Sequence, residues 1–213
     1  LVVPAAIRSA LLPVLGRVRD NPSEHRNELH RATDMCFGLL PYGLFGGYII
    51  MSVFAPLAFP SAYLDGTHGA SAVDVFVILL AGWAFTLLAT PTYTSLMAGH
   101  HPWRFTGFIV LVLVAASLLG YGLVLEGSEE PARKLHSAAV ASSLSAGVLL
   151  VLSWWMSGEF DAVQHRKIEW FAVLLGSLVV VVGLFSGTLL WVFGLPLFWF
   201  TKQGWRAIRA TSD

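Results

Sequence analysis

The residues in this chain best suited to chemistry are its seven histidines: His25, His30, His68, His100, His101, His136 and His165. Imidazole is the commonest protein metal ligand and an axial ligand for porphyrins, because a neutral ring nitrogen offers a lone pair without burying a charge. A haem b (or other porphyrin) held between His100 or His101 and His165 is therefore a definable cofactor site, and a quinone-binding anchor is a closely related reading. A membrane di-iron centre asks for more histidines than these, clustered as HxxxH and HxxHH. The chain offers a loose HxxxxH (His25, His30) and the adjacent His100-His101 pair. Every histidine falls in a connection or at the edge of an apolar stretch, where a solvated imidazole costs little. Interfacial polar residues without a ligand are the simpler expectation.

Other constellations are weaker. Glu129-Glu130 with Arg133 and His136 forms an acid/base cluster, but it lies beside Pro131 in a connection and reads as a solvated loop. Phosphate-binding GxxxxGK, dinucleotide-binding GxGxxG, the GxSxG elbow and HExxH are all missing from the sequence. The lone Cys36 excludes an intramolecular disulfide and a CxxC site. No catalytic residue and no metal ligand is assigned, and a catalytic activity is not expected.

The elements that must position these residues are set by composition. Of 213 residues, 56% are hydrophobic and 12% charged, with a mean hydropathy of +0.70. An average soluble domain carries about 25% charge, so this chain cannot cover a water-facing surface. A cytosolic enzyme, a disordered tail and a disulfide scaffold are excluded. Thirteen basic and thirteen acidic residues cancel, so no overall field recruits nucleic acid.

Crossing a hydrocarbon core of ~30 Å takes ~20 apolar residues at 1.5 Å rise. Stretches over residues 35–59, 73–99, 105–125 and 135–157 qualify, with Pro91 a natural kink in the second. A fifth charge-free stretch covers 170–201. It is too long for one upright span and too short for two, and breaks naturally at Gly194-Leu195-Pro196 into a span over 170–193 and an interfacial piece over 194–201. The chain thus reads as all-α: a polytopic transmembrane helix bundle with about five spans, or four spans plus a re-entrant last segment. Residues 1–34 form a basic interfacial segment, in which the apolar but proline-broken first fifteen residues suit an amphipathic surface helix better than a span. Residues 202–213 form a basic tail whose Lys202, Arg206 and Arg209 share one helical face and suit anionic lipid headgroups.

Five Lys/Arg precede the first span, and the following connections and tail hold none, one, two, two and three. An inside N-terminus gives eight inside against five outside, and a re-entrant last segment sharpens that to eleven against two. A bacterial or organellar inner membrane is the expected location.

Uncharged hydroxyls at Thr86, Thr90, Thr92, Thr94 and Ser95 either line a solute path or satisfy carbonyls freed around Pro91. Without a hydrophobic drive between helices in lipid, small residues permit the close approach that supplies packing. Gly43 and Gly47 form a GxxxG in the first span, and Gly176, Gly183, Gly187 and Gly194 a stripe along the last. The fourth span is rich in Ser and Ala. Most tryptophans, including Trp103, Trp154 and Trp155, fall near span boundaries as interfacial anchors, whereas Trp83 and Trp191 lie deeper. The expected partners are membrane lipids and other transmembrane subunits. A non-catalytic multi-pass subunit of a larger, possibly energy-converting complex fits these features best. A haem- or quinone-binding anchor and a small oligomeric carrier or channel are the rivals.

Overall fold

The computed structural model describes residues 2–64, 71–99, 102–125 and 131–158. All the elements formed by these residues are helices: α1 Val2–Arg17, α2 Pro22–Ala58, the single turn α3 Ser61–Leu64, α4 Ala72–Ala98, α5 Pro102–Leu125 and α6 Pro131–Ser157. Four of them, α2, α4, α5 and α6, are long and apolar enough to cross a membrane. The protein is an integral membrane helical bundle. The expected span over 170–193, its interfacial extension and the basic tail lie outside the described residues.

The helix boundaries follow local chemistry. Ser71 caps α4, its hydroxyl accepting from the amides of Val73 (3.1 Å) and Asp74 (3.3 Å), and Asp74 in the first turn complements the helix dipole. α5 and α6 each start on a proline, whose missing N–H is one that a first turn leaves unpaired anyway. α2 departs from the expected 35–59. It starts at Pro22, behind the N-cap Asn21, and runs for 37 residues, about 55 Å. The charged residues from Glu24 to Asp34 therefore belong to the same rod as the apolar span. Along it Leu29, Thr33, Cys36, Phe37, Leu40 and Leu44 are buried, one stripe at helical spacing that crosses the charged-to-apolar boundary without a break.

α1 also differs from a surface segment. Its 16 residues, about 24 Å, are too few to span, yet Pro4, Ile7, Leu11 and Leu15 form a buried face, with Leu15 fully enclosed. This helix is docked into the bundle, mainly on α4 and to a lesser extent on α2.

α4 is the centre. α6, α2 and α1 pack on it, while α5 is attached through α6. α2 runs antiparallel to α4, with His25 beside Ser95 and Gly47 beside Leu80. α6 runs parallel to α4, with Gly82 beside Ser143, Gly147 beside Phe85 and Thr92 beside Ser153. The shared core joins Cys36, Phe37, Leu40 and Leu44 of α2 to Leu87, Leu88 and Ala89 of α4 and Leu150 of α6. The adjacent tryptophans expected as anchors divide: Trp154 packs on Phe37 with ring centroids 6.5 Å apart, and Trp155 is 68% exposed.

Candidate functional site

The polar groups of the bundle gather on the C-terminal half of α4. The hydroxyls of Thr86, Thr90 and Thr94 donate to the carbonyls of Gly82, Thr86 and Thr90, at 2.9, 2.7 and 2.6 Å. Thr92 lies 2.9 Å from both the Ala89 carbonyl and the Ser153 hydroxyl, and Ser153 in turn reaches the Leu150 carbonyl at 2.9 Å. The carbonyl released by a proline at 91 is that of Leu87, four residues before it, and none of these bonds ends there. The expected repair of the Pro91 gap is therefore not what the hydroxyls do. They turn back along their own helix, a habit of Ser and Thr that leaves few free polar groups. Thr90, Thr92 and Thr94 are buried. They fill a packed seam rather than line an open path.

Further along α6, Ser143 donates to the Ile78 carbonyl at 2.6 Å. A Cβ added at Gly82 would stand 2.8 Å from the Ser143 hydroxyl and 3.0 Å from its Cα, so the two backbones touch here. Gly43 and Gly47, expected as helix-packing residues, lie on the α2 face toward α4. A Cβ at Gly43 would overlap the Trp83 ring, and one at Gly47 would lie 2.9 Å from a Leu80 methyl. The remaining expected packing glycines, Gly176, Gly183, Gly187 and Gly194, lie outside the described residues.

Two long-range contacts close the end of the bundle where α2 begins and α4 ends. Arg8 of α1 donates to the Tyr93 hydroxyl at 2.8 Å, a contact that raises the already high pKa of its guanidinium, and Tyr93 stacks on Phe105 of α5, centroids 6.3 Å apart. His25 Nε2 lies 2.7 Å from the Ser95 hydroxyl, while its Nδ1 is buried without a hydrogen-bond partner. The expectation of a solvated boundary imidazole is corrected for His25, because the helical stripe of α2 carries it onto α4. An orphaned N–H is costlier than an under-used acceptor, so the favoured tautomer keeps its proton on Nε2, donating to Ser95.

A serine beside a histidine invites a nucleophile-and-base reading. The geometry argues against it. Ser95 lies in the last turn of α4, where the carbonyl end of the helix dipole opposes the negative charge a tetrahedral intermediate develops. The bond instead ties two helices. The proposed haem ligands His100, His101 and His165, and the headgroup residues Lys202, Arg206 and Arg209, lie outside the described residues. Among the described residues no group of three His, Cys, Asp or Glu side chains is placed to hold a metal ion. No protein-family model matches the chain, and neither a curated protein nor a solved structure is detectably similar to it.

Sequence reasoning missed three of these pairings: Gly82 with Ser143, Arg8 with Tyr93 and His25 with Ser95. For the third a signal was present. Asn21-Pro22-Ser23-Glu24 is an N-cap followed by proline at the first helical position and an acid in the first turn, which starts the helix early enough to bring His25 into its buried stripe.

Proposed function

We propose that this protein is a non-catalytic, multi-pass subunit that scaffolds a larger assembly in a bacterial or organellar inner membrane, with its arginine-rich N-terminal side on the positive-inside face. The observation that carries this reading is α5. Among the described residues it is held mainly by α6 and more lightly by α4, and it turns Val110, Leu113, Val114, Leu118 and Tyr121 outward. Gly107, Gly120 and Gly122 on the same helix have, among the described residues, open space where a side chain would be. A long apolar ridge with gaps at glycine lets a further helix lie close. The interior hydroxyls, bonded to helix carbonyls and to each other, suit a rigid frame.

Native-gel migration from membranes extracted in mild detergent, with mass spectrometry of the band, tests the proposal. Co-migration in a large complex of defined composition supports it. Migration as a monomer or a small homo-oligomer overturns it. A Soret band in the purified protein would bring the haem-anchor reading forward instead.

A further inference from the structure

Where α1 meets α2 the surface opens into a cleft of about 200 Å³, walled by Ile7, Leu11 and Val14 of α1 and by Glu28, Arg31 and Met35 of α2. Its lining is hydrocarbon apart from the two charged residues. They sit three positions apart, the spacing at which opposite charges on a helix usually pair. Here neither is in a salt bridge or hydrogen bond among the described residues, and Glu28 is half-buried. One cation and one anion thus stand uncommitted over an apolar trough.

The cleft's level in the membrane follows from α2. Glu28 and Arg31 precede Met35, where the charge-free stretch begins, and lie about one to two turns from His25, which meets the last turn of α4. The charged lip is therefore at headgroup depth and the trough beside the first acyl carbons. We propose that this cleft binds one phospholipid with an ethanolamine headgroup, its phosphate at Arg31, its ammonium at Glu28 and the start of one acyl chain in the trough. A guanidinium takes phosphate oxygens two at a time, and a primary ammonium brings three N–H donors to a carboxylate. A choline headgroup has no N–H to give Glu28. An anionic glycerol headgroup sets phosphate on Arg31 but leaves Glu28 without a counter-charge, beside a like one. The volume is that of six or seven waters at ~30 Å³ each, enough for a segment of chain and not for a whole lipid.

Native mass spectrometry of the full chain, offered equal amounts of phosphatidylethanolamine, phosphatidylcholine and phosphatidylglycerol with the same acyl chains, reads the order directly. Phosphatidylethanolamine is expected to be retained about tenfold over phosphatidylglycerol, the scale of one charge-assisted contact. Glu28→Gln is expected to erase its advantage over phosphatidylcholine, Arg31→Gln to lower retention of both, and Ala32→Phe, which fills the trough, to lower all three. Equal retention of the three lipids by the unaltered protein, a preference for phosphatidylglycerol, or no retention at all overturns the proposal without any variant having to fold. Glu28→Gln with an unchanged order also overturns it, and circular dichroism confirms that the variants keep their helix content.

Discussion

α4 meets its two main neighbours through small residues in opposite ways. Against α6, Gly82 lets the backbones touch, and Ser143 uses that closeness to reach the Ile78 carbonyl. Against α2, Gly43 and Gly47 are sockets that receive Trp83 and Leu80. One seam is close and hydroxyl-bonded, and the other is a large ring and a branched side chain seated in gaps. The recognisable GxxxG lies at the second. The tighter backbone approach occurs at a glycine with no second glycine four residues away on either side. Small-residue spacing therefore marks where helices can come together, without fixing whether backbone or side chain fills the room.

The buried lone Cys36 sits in the core that both seams enclose, so its labelling by a thiol reagent during heating reports when the bundle opens. The sharpest break should come from Gly43→Leu, which drives a side chain into the Trp83 ring. Overpacking of this kind costs about 1–3 kcal/mol or more, and the Cys36 labelling midpoint should fall furthest for this variant. Trp83→Ala removes a half-buried ring and should cost less than the roughly 3 kcal/mol of a fully buried one by itself, yet combining it with Gly43→Leu should cost less than the sum, by at least about 1 kcal/mol. Additive losses would refute the socket.

Next, Gly82→Ala should cost about 1–3 kcal/mol, and Trp83→Ala should give no relief, since the obstacle is the Ser143 backbone. Rescue by Trp83→Ala would mean that the two seams are one. A smaller effect is expected for Thr92→Val, about 0.6–2 kcal/mol for an interhelical hydroxyl bond in a membrane. Ser153→Ala should match it, and the double variant should be no worse than either, because both remove the same bond. At the bottom of the range, Gly107→Ala on the open side of α5 should stay within about 0.5 kcal/mol of the parent. A larger loss, seen only in membranes from the source, would reveal a helix lying there.

Much of this fold is legible in the sequence, for a physical reason. Lipid tolerates few breaks in an apolar helix, so charge and proline mark where α4, α5 and α6 end. The onset of α2 is less visible, because Arg26, Glu28, Arg31 and Asp34 break the hydropathy run while leaving the helical stripe through Leu29, Thr33 and Phe37 intact. In sequence α1 suits a surface segment because of its prolines and Arg8. Pro4 is part of its buried face and Pro13 lies on its exposed side, while Arg8 is held by a residue 85 positions away. The seam partners were unreadable for a similar reason. Gly82 and Ser143 are ordinary in their own helices and gain meaning only from the register between them.

That register has a consequence in time. Thr92 and Ser153 are 61 residues apart, and α5 must be made between their helices. At 5–20 residues per second, synthesis separates the two by roughly 3–12 s, during which α4 enters lipid without the helix it will lie against. Hydroxyls waiting for a partner in hydrocarbon would be a burden over those seconds. Thr86, Thr90 and Thr94 instead complete their bonds on α4 itself, and Thr92 has the Ala89 carbonyl to hold until Ser153 arrives. α4 enters the bilayer ready to stand alone, and its seam with α6 is the last that it makes with the described helices.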